Sequence, residues 1–142
     1  MGDRCEISGD LAEPYSRQIK KFVTACIPDL FRLDMGVVVS VALVDDEEIQ
    51  RLNRDFRKLD TPTDVLSFED RYQQPDGTMF VGDIIVSVPF ANRDKDERNL
   101  LDYILFLVAH GLLHLTGLDH KTDDERLEMI SMGEDLLRLH GK

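Results

Sequence analysis

The chain has 142 residues, 42% of them hydrophobic and 32% charged, and its 17 basic and 28 acidic residues give a net charge of −11. This length suits one domain, which we predict over residues 1–142. The first residues do not resemble a signal peptide, and the most apolar stretch, residues 100–118, is interrupted by Asp102, His110 and His114, so we expect a cytoplasmic protein with a buried core helix and no membrane span. The acidic charge opposes general nucleic-acid binding, because phosphate contacts require clustered lysine and arginine.

The first half of the chain predicts two helices and a strand between them. Apolar residues at helical spacing after Pro14 predict a helix that ends at Pro28. Residues 36–44 (GVVVSVALV) are rich in β-branched side chains and predict a strand. Asp45 opens an acidic run (DDEE) that is typical of a helix N-terminus, and this second helix is predicted to end at about Arg57.

Two further strands are predicted over residues 63–69 (TDVLSFE) and 80–88 (FVGDIIVSV). The segment between them contains Gln-Pro-Asp-Gly at residues 74–77, which is strong turn chemistry and indicates an antiparallel pair. The charged residues 89–99 have no clear period, and a short helix is the interpretation we consider for them.

Two helices complete the predicted fold. Residues 100–116 are almost continuously apolar and predict a buried helix that Gly117 ends. Thr122 begins a capping box for a last helix that runs to about Leu139. The order of elements predicts an α+β fold, a single domain in which a small mixed sheet packs with about five helices.

Three of the four histidines lie within eleven residues of the sequence HGLLHLTGLDH. His110 and His114 are one turn apart, so their rings lie on the same helix face. Gly117 can take a left-handed conformation and turn the chain back, which would return His120 to the same point. The three imidazoles predict a zinc site on the central helix and the loop after it, with a fourth position open for water as in catalytic zinc sites.

Two other interpretations of the histidines were considered. Three unrelated core histidines are disfavoured, because the surrounding helix is otherwise apolar and the spacing is that of a metal site. The same spacing occurs in metzincin proteases, where a glutamate directly follows the first histidine and acts as general base. Here that position is Gly111, so a metalloprotease lacking the usual glutamate remains only the alternative function.

The second predicted helix carries a basic segment that could contact a phosphate. Residues 51–58 contain four basic side chains and one acidic one, Asp55, so the segment has a local charge of +3 in a chain of net charge −11. The four basic residues are Arg51, Arg54, Arg57 and Lys58. Arg51, Arg54 and Lys58 are predicted to share one helix face. A solvated helix face is the alternative interpretation.

Three segments together carry a family resemblance. They are LN…FR…D…PTDVLSF within residues 52–68, GDI at residues 82–84, and HGLLHLTGLDH at residues 110–120. In this order they resemble the YbeY family of ribosomal RNA maturation endoribonucleases, over nearly the whole chain. The resemblance implies an endoribonuclease that cuts single-stranded RNA, binds one zinc ion, and acts in small-subunit rRNA 3′-end maturation and ribosome quality control.

The resemblance also implies roles for particular residues. The family's metal-binding histidines correspond to His110, His114 and His120, and its functionally important arginine corresponds to Arg57. The implied partners are single-stranded ribosomal RNA, the small ribosomal subunit and its associated factors. We expect Arg57 to neutralise charge on the scissile phosphate, with the general base left open between a metal-activated water and the substrate's 2′-hydroxyl. A non-catalytic ribosome-associated factor with structural zinc is the remaining alternative.

Overall fold

The computed structural model describes residues 2–141, which form five helices and one four-stranded sheet. In chain order the elements are β1 (Arg4–Ser8), α1 (Ser16–Leu30), β2 (Val37–Val44), α2 (Asp46–Arg57), β3 (Val65–Gln73), β4 (Met79–Ser87), α3 (Val88–Asp94), α4 (Leu100–Leu115) and α5 (Asp123–His140). The predicted α+β fold with a small mixed sheet and about five helices is confirmed.

The sheet has the strand order β1-β2-β4-β3 and is mixed. β1, β2 and β4 run parallel, whereas β3 pairs with β4 in the antiparallel direction that the turn chemistry predicted. Gly77 lies in that turn with a φ of 91°, a conformation that glycine adopts without steric cost. β3 is an outer strand of this sheet, so one of its edges is free of β-strand pairing.

Alternation along β2 divides the apolar side chains between the two faces of the sheet. Val39, Val41 and Leu43 belong to the main core, together with buried residues of α1, α4 and α5. Ala42 and Val44 pack in a second, smaller cluster with residues of α2. α4 is buried on most sides, yet no helix within residues 2–141 is long and apolar enough to cross a membrane.

Two details at the start of the fold differ from the prediction. β1 was not predicted, although Cys5 and Ile7 alternate with polar residues in it; the stretch is short and mostly polar, and pairing with β2 stabilises it. Helix α1 does not end at Pro28 but continues to Leu30. Proline has a helical φ, so it can occupy the last turn of a helix, and the apolar contacts of α1 with the core outweigh the loss of one backbone hydrogen bond.

The uncertain charged segment begins with a short helix, α3. Ser87 ends β4 and caps this helix, because its Oγ accepts a hydrogen bond from the backbone N–H of Phe90 at 3.3 Å. Pro89 occupies the first turn, where its missing N–H has no cost. α3 leads into the loop before α4, the helix that carries two of the clustered histidines.

Candidate active site

Helix α4 holds two histidines at one point on its surface. Asn99 caps the helix, and its Oδ1 accepts hydrogen bonds from two backbone N–H groups of the first turn. His110 and His114 follow one turn apart near the other end, and their rings meet edge to face with centroids 4.7 Å apart. Their Nε2 atoms are 3.1 Å apart. The helical spacing thus brings two ring nitrogens together, as the sequence predicted.

The loop after α4 returns the third histidine to the first two. Gly117 has a φ of 98°, and its N–H donates to the carbonyl oxygen of His114 at 3.0 Å, which ends the helix. Asp119 then accepts a hydrogen bond from the backbone N–H of His120 at 2.8 Å, so its carboxylate stabilises the turn. The His120 ring lies with its centroid 6.0 Å from that of His110 and 5.6 Å from that of His114.

The surroundings of these rings favour the neutral imidazole. Nδ1 of His114 lies 3.0 Å from the carbonyl oxygen of Leu118, which can only accept, so Nδ1 carries the hydrogen and Nε2 has a free lone pair. Burial, reinforced by the two neighbouring imidazoles, lowers the pKa of His110 to about 4. Burial also lowers the pKa of His114, and the nearby Arg57 guanidinium contributes in the same direction.

The three histidines (the histidine triad) have the geometry and chemistry that a metal ion requires. One nitrogen from each ring can be chosen so that all three lie within 4.8 Å of one another. Two nitrogens 3.1 Å apart, as in His110 and His114, can both lie about 2.0–2.1 Å from a single ion. Neutral imidazole is a ligand for several first-row transition metals. The residues therefore fit a metal ion.

Gly111, which follows the first histidine, is packed against the sheet. A Cβ added there would lie 2.8 Å from the Cγ2 atom of Ile84, so even alanine would force a shift of the core. The position that carries the catalytic glutamate in metzincins thus has no room for a side chain in this packing. This contact opposes the metalloprotease alternative on structural grounds.

The histidine triad lies in a cleft of about 670 Å³ between the start of β3, α4, the loop after it and α5. Arg57, at the end of α2, lines the same cleft, as do Asp64 and Ser67. The Asp64 carboxylate accepts a hydrogen bond from the backbone N–H of Val65 at 2.7 Å, and burial raises its pKa. Arg57 and the histidine triad therefore line the same cleft, although they are more than fifty residues apart in the sequence.

The predicted basic face on α2 is not continuous in the structure. Arg51 forms salt bridges with Glu48 and Asp55, and Arg54 forms one with Asp55. Both arginines line a different hollow, which does not include Arg57. The arrangement of Arg51 and Arg54 fits the alternative interpretation of a solvated helix face, because both side chains are about half exposed and pair with acids of their own helix, whereas Arg57 lines the cleft.

Two arginines that the sequence did not single out also line the cleft. Arg98 lies in the loop before α4, and Arg126 lies in the first turns of α5. Each follows an acidic pair in the sequence (DER), where an arginine looks like part of an ordinary charged surface. Arg126 reaches the cleft through the packing of α5 on α4, and Arg98 reaches it by folding back over Tyr103 and Phe106 of α4.

Comparison with known proteins agrees with this geometry. A family model described as endoribonuclease YbeY matches residues 6–141. The chain belongs to the YbeY family. The predicted membership is thereby confirmed, and with it the class of enzyme, an endoribonuclease.

Individual relatives give the same result. Two relatives named endoribonuclease YbeY match nearly the whole chain. The protein from Heliobacterium modesticaldum is 33% identical, and the match covers 93% of this chain and 87% of that relative. The protein from Brevibacillus brevis is 36% identical, and the match covers 93% of each chain. The relative from Synechococcus elongatus is 45% identical, and the match covers 68% of this chain and 59% of that relative. A solution structure from Thermotoga maritima shares the fold, with a TM-score of 0.60, 24% identity, and coverage of 95% and 90% of the two chains.

Proposed function

We propose that the chain is a zinc-dependent endoribonuclease that cleaves single-stranded ribosomal RNA, in 3′-end maturation of the small-subunit rRNA and in ribosome quality control. His110, His114 and His120 hold one zinc ion, and Arg57 binds the scissile phosphate. The protein works in the cytoplasm with the small ribosomal subunit and its associated factors, because its substrate is assembled there.

One observation carries the proposal. The nitrogens of the histidine triad converge within 4.8 Å in the cleft that Arg57 lines from another element. A cationic, bidentate donor beside a metal site is what a phosphodiester needs, since negative charge increases on its non-bridging oxygens during cleavage. Membership in a family named for endoribonuclease activity supports RNA as the phosphodiester.

The residues of the chain contribute position and charge. Zinc, when bound, would act as a Lewis acid that stabilises negative charge at the scissile phosphate. The Leu118 carbonyl fixes the tautomer of His114, and Asp119 fixes the turn that presents His120, so that both rings keep their orientation. The planar fork of Arg57 can hold two phosphate oxygens at once, which aligns the phosphate beside the histidine triad.

The test compares the wild type with His114→Ala and His140→Ala. His140 is the matched control, because its ring bonds Asp29 at 2.7 Å and does not line the cleft. We expect wild type and His140→Ala to carry one equivalent of zinc by mass spectrometry and to cut a single-stranded fragment of small-subunit rRNA. His114→Ala should lose both the metal and the cleavage.

Other results would contradict the proposal in distinct ways. Cleavage that persists in His114→Ala would indicate a contaminating nuclease, or a mechanism independent of the histidine triad. Cleavage of a peptide pool in place of RNA would favour the metalloprotease. Zinc bound by a wild type that cuts no RNA, even when small subunits are supplied, would favour the non-catalytic ribosome-associated factor.

A further inference from the structure

Salt bridges divide the arginines of this acidic chain into two groups. Within residues 2–141, six arginines are held by carboxylates: Arg4, Arg51, Arg54, Arg71, Arg93 and Arg138. The three arginines that line the cleft have no such partner in the described part of the chain: Arg57, Arg98 and Arg126. Two further arginines, Arg17 and Arg32, are exposed outside the cleft and also form no salt bridge among residues 2–141. Three of the five arginines without a carboxylate partner in that range therefore line the one cleft that holds the histidine triad.

Arg98 is held in place by aromatic rings and not by an acid. Its Cζ atom lies 4.9 Å from the ring centroid of Tyr103 and 5.3 Å from that of Phe106. Tyr103 is itself fixed, since its ring is buried and its hydroxyl donates to the carboxylate of Asp94 at 2.9 Å. A guanidinium seated over rings keeps its N–H groups available in its own plane, where they can donate to an anion.

Arg98 lies at a different end of the cleft from Arg57. Phe106, which supports its guanidinium, is one helical turn before His110 on α4, on the side away from His114. Arg57 lies near enough to His114 to affect the pKa of that imidazole. The first N–H groups of α4 are already used by Asn99, so the anion donor at this end is the Arg98 side chain.

We propose that Arg98 binds a backbone phosphate of single-stranded RNA at a second subsite, at least one nucleotide from the phosphate that Arg57 binds. The inference rests on the proposed function, because it takes the histidine triad as the point of cleavage. The cleft supports a polyanion here: three arginines line it against two aspartates, Asp64 and Asp119, in a chain of net charge −11. Arg98 is thus a positioning residue that sets the path of the RNA.

The experiment measures binding of fluorescein-labelled oligouridylates, a dinucleotide and a dodecanucleotide, by anisotropy at a series of salt concentrations. Arg98→Ala is compared with Arg93→Ala, a matched control, because Arg93 also lies over a ring, that of Phe90, but forms a salt bridge with Asp46 outside the cleft. Arg98→Gln keeps most of the stem over the rings, and serves as a second variant.

We expect Arg98→Ala and Arg98→Gln to reduce the slope of log affinity against log salt by about 0.7 for the dodecanucleotide, the effect of one phosphate contact on a single strand. The dinucleotide, which is too short to fill both subsites, should show no difference. KM for a long RNA should rise while kcat stays close to that of the wild type. Arg93→Ala should match the wild type in every measurement.

Three results would overturn the inference. They are an unchanged slope in both Arg98 variants, an equal loss in Arg93→Ala, or an equal loss on the dinucleotide, which would place Arg98 at the scissile phosphate. Failure of the proposed function would give a different result. If the wild type binds RNA without cutting it, the slopes of log affinity against log salt can still be measured and still test the role of Arg98. A wild type with no affinity for the dodecanucleotide would overturn both.

Discussion

Arg57 and Arg54 lie one turn apart on α2, but their guanidinium groups have different surroundings. Arg54 is tied to Asp55 at 3.2 Å and lines another hollow, whereas Arg57 lines the cleft of the histidine triad. We therefore expect Arg57→Ala to lower the rate of RNA cleavage by about 10²–10³, the usual effect of removing one donor to a developing anion. Single-turnover cleavage, with metal content measured on the same sample, tests this.

The control for this prediction is Arg54→Ala, which changes the net charge of the chain equally. It should cleave RNA at the wild-type rate and keep its metal. Arg57→Lys should recover only part of the activity, because an ammonium cannot hold two phosphate oxygens in one plane. Equal losses in Arg54→Ala and Arg57→Ala would mean that only overall charge matters, and would remove Arg57 from the mechanism.

The imidazole of His110 provides a second prediction at the scale of one residue. Burial and the two neighbouring imidazoles lower its pKa to about 4 in the metal-free protein, so the ring should stay neutral well below its ordinary pKa of 6.5. A pH titration of the metal-free protein, followed by ¹⁵N NMR of the ring nitrogens, measures this directly. A midpoint near 6.5 would mean that the ring is far more hydrated than its packing indicates.

The lowered pKa has a consequence for the stability of the metal-free protein. Above pH 6.5 the residue is neutral in both the folded and the unfolded chain. Between pH 6.5 and 4 the unfolded chain binds a proton that the folded chain does not, so the contribution of His110 to folding is lost as the pH falls through this range. The free energy of unfolding of the wild type should therefore fall relative to that of His110→Asn as the pH is lowered from 6.5 to 4, and denaturant unfolding at a series of pH values measures this.

At the scale of elements, the features that local chemistry determines could be predicted from the sequence. α4 and the loop after it follow from an apolar run, two histidines one turn apart, and Gly117, whose φ of 98° ends the helix as expected. The β3–β4 hairpin follows from its turn residues. The helix over α2 follows from Asp45, whose side chain accepts from the N–H of Glu48 at 2.9 Å.

Features that depend on distant contacts could not be predicted in this way. β1 has too few apolar residues to be read as a strand, and exists because β2 offers it an edge. In the sequence, Arg98 and Arg126 cannot be distinguished from any exposed arginine. The packing of α4, the loop before it and α5 brings them to the cleft. Conversely, local spacing shows that Arg51 shares a helix face with Arg54, but it does not decide that Arg51 pairs with Glu48 at 2.7 Å.

A pair of glycines tests how closely the elements pack. Gly82 in β4 has a φ of 150°, and a Cβ there would lie 2.4 Å from the carbonyl oxygen of Phe68 in β3. Gly82→Ala should lower the free energy of unfolding by about 1–3 kcal/mol, as strained backbone positions do. Gly133 in α5 has only ordinary contacts, the nearest at 3.5 Å from Phe106, so Gly133→Ala should be neutral or stabilise by up to about 1 kcal/mol.

Denaturant unfolding of the two alanine variants distinguishes these cases. The two variants are expected to change stability in opposite directions, so the sign of each change separates a strained position from an open one. A Gly82→Ala protein as stable as the wild type would mean that β3 and β4 can separate without cost. Because β3 forms one wall of the cleft, that result would also mean that the wall is not rigid.

At the scale of the molecule, the net charge of −11 is unevenly distributed. The hollow beside α2 is lined by Asp10, Asp45, Glu47 and Glu48 around the neutralised Arg51 and Arg54. The cleft of the histidine triad is lined by three arginines that no carboxylate holds among residues 2–141. Screening limits the reach of the acidic side to about 8 Å at physiological salt. An acidic chain can therefore present a cationic cleft to a polyanion.

The histidine triad also links metal binding to the stability of the whole molecule. His110 and His114 belong to α4, and His120 to the loop that leads into α5, so an ion held by all three would connect α4 to that loop. A ligand that binds only the folded chain stabilises it by about 2.7 kcal/mol at a concentration one hundredfold above its Kd. We therefore expect zinc to raise the midpoint of thermal unfolding of chelator-treated protein, increasingly with its concentration.

His120→Ala should abolish this rise, since two imidazoles on one helix hold an ion weakly and no longer connect it to the loop. His140→Ala should keep the rise even if its own midpoint is lower, because the contact it loses is with Asp29 on α1. Lowering the pH should reduce the rise, because protons compete with the metal for the same nitrogens. A midpoint that does not depend on zinc would show that the histidines, although close together, do not form a metal site.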